Sequence, residues 1–233
     1  MKRLASRLLS DIRYQYRSGF YFIYMFLIVC FVVILRLLPD AWRQTALIVT
    51  LLSDPALLGF FFIGGILQLE RGEGILDVLF STPLQPREYI VSKAVSLGLI
   101  ATLAGCLIAL GSGVSGVRYF LLVPVLLLGS VCFTFIGISV SINLRSMNAF
   151  LSVDGLWEAI LLIPPLLLLF NVAFLPLEFL PGSIVLRLVQ ASIGLPVLLP
   201  WYILGMALWA AIAFLLAQER LLASLRRLGG GAQ

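Results

Sequence analysis

Apolar runs of near-membrane length, separated by short polar, proline-bearing or glycine-bearing breaks, organise this chain from end to end. They cover about 20–38, 46–69, 90–111, 119–142, 156–177 and 201–217, each close to the ~20 residues a helix needs to cross a bilayer. The breaks carry turn chemistry. Pro39, Asp40 and Arg43 divide the first two runs, Ser112 to Arg118 is a glycine-rich tight turn, and Asn143 to Glu158 reads as a polar loop. Within the second run Ser53-Asp54-Pro55 has the order of an N-cap followed by a first-turn proline, so a helix restarts there. Pro164-Pro165 predicts a kink in the fifth run. Residues 178–200 are broken by Pro181, Pro196 and Pro200 and carry Glu178, Arg187 and Gln190, which predicts short external re-entrant or interfacial helices before the last span.

The flanks follow a different period. Leu4, Leu8, Leu9 and Ile12 share one helical face while Arg3, Arg7 and Arg13 occupy the others, the pattern of an amphipathic helix over residues 1–18 lying on a membrane surface. Residues 218–233 read as a basic amphipathic cytoplasmic tail ended by Gly229 to Gly231. The longest charged connection, residues 70–89, holds a short amphipathic helix after Gly74, with Ile75, Leu76, Val78, Leu79 and Phe80 on one broad side and Asp77 interrupting them. Ser81-Thr82-Pro83 ends it, and Pro86 starts the next helix. The expected fold is therefore one all-α membrane domain over 1–233, with six transmembrane helices, an N-terminal interfacial helix and a short coupling helix between the second and third spans.

Composition strengthens that picture and removes alternatives. Of 233 residues, 61% are hydrophobic and 12% charged, against about 45–50% and 25% in soluble domains, so a soluble fold is excluded. There is no histidine, and Cys30, Cys106 and Cys132 lie apart within apolar runs. The usual zinc and haem ligand sets and a disulfide framework are thus not encoded, and no metal or catalytic site is expected. The net charge of +5 is read as topology rather than nucleic-acid binding. With both termini cytoplasmic, the inner segments hold Lys2, Arg3, Arg7, Arg13, Arg17, Arg71, Arg87, Lys93, Arg145, Arg220, Arg226 and Arg227. The outer ones hold Arg36, Arg43, Arg118 and Arg187. Twelve against four is the bias that positive-inside topology requires.

Ionisable or polar groups within the spans are the first candidates for a substrate pathway. Asp54 could attract a cationic group or serve only as a helix cap, Asn171 could line a route or pack helices, and Phe61 of the Phe60 to Phe62 cluster could line an apolar path. Glu178 and Arg187 could gate an exit or form a solvated rim, and Asp154 with Glu158 could make a second partner contact or a solvated helix face. In the charged connection, Glu70, Glu73 and Asp77 could pair with a cytoplasmic partner pressing on the coupling helix. The run Gly111-Ser-Gly-Val-Ser-Gly116 begins like a phosphate-binding loop. Val117-Arg118 stand where Lys-Ser/Thr is needed, and no strand precedes it, so ATP is expected to be bound by another chain.

Glu73, Gly74 one place early, Ile75, Leu79, Thr82 and Pro83, followed by Glu88-Tyr89-Ile90 and Lys93, resemble the signature region of ABC-2-type permeases. The basic N-terminal helix, the six spans and the broken external segment extend the resemblance over the whole chain. Residues 51–58 and 69–89 further resemble fluoroquinolone-export permeases. The resemblance implies a subunit of an ATP-binding cassette exporter in the cytoplasmic membrane of a prokaryote. It also implies a separate cytoplasmic ATPase that supplies ATP and Mg, and a second permease chain, identical or sibling. Its implied ATPase-coupling residues are Glu70, Glu73, Gly74, Asp77, Leu79, Thr82, Pro83 and Arg87. Haem-exporter permeases of cytochrome c maturation share a similar loop and are one alternative. A secondary transporter or channel is another, though the inverted repeats and midplane charges of that class are not evident.

Overall fold

The computed structural model describes residues 2–17, 19–53, 58–74, 85–144, 146–170, 172 and 175–229. The described residues form helices joined by short turns: α1 (Lys2–Arg17), α2 (Phe20–Leu37), α3 (Asp40–Leu51), α4 (Leu58–Gly72), α5 (Pro86–Ser112), α6 (Tyr119–Ser141), α7 (Met147–Leu169), α8 (Leu175–Glu178), α9 (Pro181–Ser192) and α10 (Leu199–Gly229). No strand occurs among them. Helix ends follow local chemistry. Pro86 and Pro181 open α5 and α9, where a missing N–H costs nothing. The Ser146 hydroxyl accepts a hydrogen bond from the Ala149 amide to cap α7. Gly113, at φ +77°, ends α5 in the left-handed conformation that glycine adopts without strain.

Among the described residues four helices are long and apolar enough to cross a membrane: α5, α6, most of α7 and α10. The described parts of α1 and α2, taken together, make a fifth candidate bent by 70°. The bend falls beside Gly19, whose φ is +78°. The expected second span is replaced by α3 and α4, neither long enough to cross alone. Ser53 folds back to the Val49 carbonyl at 2.9 Å at the end of α3, while Asp54 and Pro55 lie outside the described residues.

Two further features differ from the expectation. Within the polar loop expected over 143–158, the Ser146 cap starts α7 at Met147 and carries Asp154 and Glu158 into the helix. The basic tail continues the last span, since α10 runs on through Gly229. The broken segment contains α9, ten of whose twelve residues are buried, so this helix sits within the fold and packs on α10, α6, α7 and α3.

The centre of the bundle is α6, which packs against α5, α10, α4 and α9. Small residues allow that approach. A Cβ at Gly137 would stand 2.8 Å from the Phe60 carbonyl oxygen on α4, and one at Gly59 would stand 2.7 Å from the Thr134 hydroxyl on α6. Close backbones and dense contacts hold helices together where lipid cannot supply a hydrophobic drive. The outward faces of α2 and α10 remain apolar, with Phe22, Leu37 and Trp201 mostly exposed.

Candidate functional site

At one end of the bundle three helices deliver polar groups into a single buried cluster. Asp11, Tyr14 and Gln15 occupy one face of α1, Tyr89, Ser92, Lys93 and Ser96 one face of the first turns of α5, and Glu70 the last turns of α4. In each helix the spacing of three or four residues puts the groups on one side. Lys93 is only 1% exposed. Its ammonium lies 2.8 Å from Asp11 Oδ1 and contacts Glu70 Oε1, with the Tyr14 and Tyr89 rings 5.7 and 5.6 Å away. The Tyr89 hydroxyl donates to Glu70 Oε2 at 2.6 Å, Ser92 donates to Asp11, and Gln15 donates to the Ser96 hydroxyl at 3.0 Å. One cation therefore holds two carboxylates, and hydroxyls supply further donors. That arrangement satisfies buried charge that would otherwise be prohibitive.

The cluster ties α1 to the helices on both sides of the charged connection, α4 and α5. From its outer edge the Tyr14 hydroxyl reaches Glu73 Oε2 at 3.3 Å, joining α1 to the residue just before the expected coupling helix. On the other flank, Arg71 donates to the Ile142 carbonyl at 2.7 Å and also to the Leu144 carbonyl, which takes a second bond from Gln68 at 3.0 Å. Ile142 is the cap residue of α6 and Leu144 lies just beyond it, a helix end where a cation is favoured. Residues 70–74 are thereby gripped from α1, α5 and α6.

The expected coupling residues divide into three groups. Glu70 turns inward, 4% exposed, and is engaged by Lys93 and Tyr89. Its carboxylate is thus occupied and enclosed by side chains of this chain. Glu73 and Arg87 are exposed, and Gly74 takes φ +68° in the turn after α4. Asp77, Leu79, Thr82 and Pro83 lie outside the described residues, as do Asp54 and Asn171. Phe61 is half-buried on α4, with its ring 5.9 Å from Phe150 and 5.7 Å from Phe62, so it belongs to an aromatic contact between α4 and α7. The sequence reading passed over Asp11, although it is the lone acidic residue among the basic positions of 2–17. That isolation was the available signal.

The opposite end carries a second polar group. Arg187 on α9 pairs with Glu178 at 2.6 Å and also reaches the Gln190 side chain at 3.3 Å, and the Tyr202 hydroxyl donates to Glu178 Oε2 at 3.0 Å. The Arg187 hydrogen bond, aided by Tyr202 and opposed by partial burial, holds the Glu178 carboxyl below its ordinary value. The indole of Trp209 donates to the Phe179 carbonyl at 2.7 Å. Beside this pair lies a cavity of about 440 Å³ walled mainly by α10 and the residues around α8. Within α7, Asp154 is 3% exposed, and its Oδ1 has no hydrogen-bond partner among the described residues. Among the described residues no three His, Cys, Asp or Glu side chains converge to hold a metal ion.

Residues 2–224 match the fluoroquinolones export permease protein family. Two proteins of Mycobacterium tuberculosis, from strains CDC 1551 / Oshkosh and ATCC 25618 / H37Rv, are each named fluoroquinolones export permease protein. Each is 30% identical to this chain over 167 residues, covering 71% of this chain and 70% of the relative.

Proposed function

This chain belongs to the fluoroquinolones export permease protein family, and from that premise we propose that it is the membrane subunit of an ATP-driven exporter of hydrophobic or amphipathic compounds, drugs among them. A separate cytoplasmic ABC ATPase binds the end that carries the Lys93 cluster and supplies ATP and Mg, and a second permease chain completes the transporter. In this reading α3 and α4 together form a broken second span, which gives six spans with both termini on the cytoplasmic side of the cytoplasmic membrane.

The observation that carries the proposal is the buried Lys93–Asp11–Glu70 cluster and its link to Glu73. A push delivered to residues 73–83 by a closing ATPase meets a surface helix and two span ends joined by charge. The displacement therefore passes to the bundle as a unit. The ATPase can shift the inward and outward populations only by as much as its contacts differ between the two states. Glu73 stands where the clamped cluster meets the charged connection, which suits it to transmit that difference.

The test is purification of the tagged chain in mild detergent, with identification of co-purifying proteins and an ATPase assay. Recovery of a soluble ATPase, lost when residues 73–83 are replaced by a neutral linker, supports the reading. Recovery of the chain alone, stable and without hydrolysis, refutes it in favour of a secondary transporter or channel.

A further inference from the structure

The cavity beside α10 is unlike the rest of the apolar exterior. Three aromatic rings, Phe179, Trp201 and Tyr202, contribute to a half-open space of about 440 Å³, a volume within the range of small-ligand sites. Its remaining wall is aliphatic, and one carboxylate, Glu178, reaches its edge. That carboxylate has taken one bond from Arg187 on Oε1 and one from Tyr202 on Oε2. Each oxygen accepts two bonds, so capacity for another donor remains on both, and the side chain keeps 31% of its surface exposed. Trp201 is 72% and Phe179 68% exposed, so neither ring is used up in packing the core. The Trp209 hydrogen bond to the Phe179 backbone fixes that wall to α10.

We propose that this cavity is a binding site for planar aromatic amines that carry one positive charge. The flat apolar body lies against Trp201, Tyr202 and Phe179, and the ammonium meets the free lone pairs of Glu178 and the negative faces of the rings. Arg187 makes the pair neutral overall and holds the Glu178 carboxylate in place. Selectivity for the cation then comes from position rather than net charge: the carboxylate edge, and not the guanidinium, lines the cavity. The inference rests on the export reading for the ligand class. It specifies where on this chain such a compound is held at the end opposite the coupling cluster.

The test uses the full-length chain in phospholipid nanodiscs without any ATPase, so binding is measured independently of transport. The probes are 9-aminoacridine, cationic near neutral pH, and acridine, its neutral parent, and empty nanodiscs subtract lipid partition. Binding of 9-aminoacridine is expected to be saturable, to quench tryptophan fluorescence, and to weaken about tenfold in Glu178→Gln, with acridine unaffected, as expected for loss of a desolvated cation contact. Trp201→Ala, at an exposed position whose removal spares the core, is expected to weaken both probes. Equal affinity of Glu178→Gln and the unaltered chain for 9-aminoacridine overturns the inference. Unchanged binding of both probes in Trp201→Ala overturns it too, and remains readable if Glu178→Gln does not fold. Transport with the ATPase but no binding here refutes the cavity alone, whereas binding without any ATPase-dependent transport refutes the export reading alone.

Discussion

Replacing Lys93 by Met removes one charge and preserves most of the side-chain volume, so its effect isolates what the ammonium does. In the native chain that ammonium is enclosed between Asp11 and Glu70, whose side chains are only 11% and 6% exposed. Without it two carboxylates face each other in a site that water barely reaches. Removing one partner from a buried ion pair costs about 3–5 kcal/mol, because the charge left behind is uncompensated. For a chain of this size each kcal/mol moves the thermal midpoint by about 2–4 °C, so Lys93→Met is expected to lower it by roughly 6–20 °C. The same loss frees α1 from α5, and limited trypsin digestion then cuts at Arg13 and Arg17 faster than in the native chain. A triple variant, Lys93→Met with Asp11→Asn and Glu70→Gln, removes the stranded charges and recovers a large part of the midpoint, since only hydrogen bonds are then missing. A Lys93→Met midpoint within 2 °C of the unaltered chain, a bound set by the same scale, would refute the argument that this cluster anchors the surface helix. So would a triple variant no more stable than the single one.

Other outcomes follow from the same geometry. Glu73→Ala leaves the chain inserted and folded but uncouples hydrolysis from transport in proteoliposomes containing the ATPase; Tyr14→Phe, which removes the bond from α1 to Glu73, produces a milder loss of the same kind. Gly137→Ala places a methyl 2.8 Å from the Phe60 carbonyl oxygen, and the forced separation of α4 and α6 costs about 1–3 kcal/mol, read as a lower midpoint with unaltered helical circular dichroism. Because the Glu178 carboxyl is held below its ordinary value of 4.5, its pairing stabilises the fold at pH above that value and is lost as acid protonates it in the folded state. The midpoint gap between the unaltered chain and Glu178→Gln should thus be constant near neutral pH and close in acid below 4.5. A gap that widens on acidification contradicts the assigned pairing.

The membrane class, the helical content and the ends of α2, α5 and α6 were legible in the amino-acid order because they depend on local properties. A run of apolar residues must satisfy its own backbone in lipid, and only a helix does so within one segment. Turn residues such as Gly113 and Pro86 mark where such a helix stops and starts. Legibility fails where a distant partner selects among local options. Hydropathy alone leaves α9 free to touch either lipid or protein, and it is α10, α6 and α7 that close over it and bury it. The early start of α7 is a local matter by contrast, set by the Ser146 hydroxyl accepting from the Ala149 amide three residues on. Charge is the clearest case. Glu70, Glu73 and Asp11 are equivalent carboxylates when read along the chain, and a surface role suits all three. Three-dimensional packing brings Lys93 between Asp11 and Glu70 across sequence separations of 82 and 23 residues, which turns two of them inward and leaves Glu73 at the surface. Coulomb energy depends on distance and burial, and neither is written in residue order.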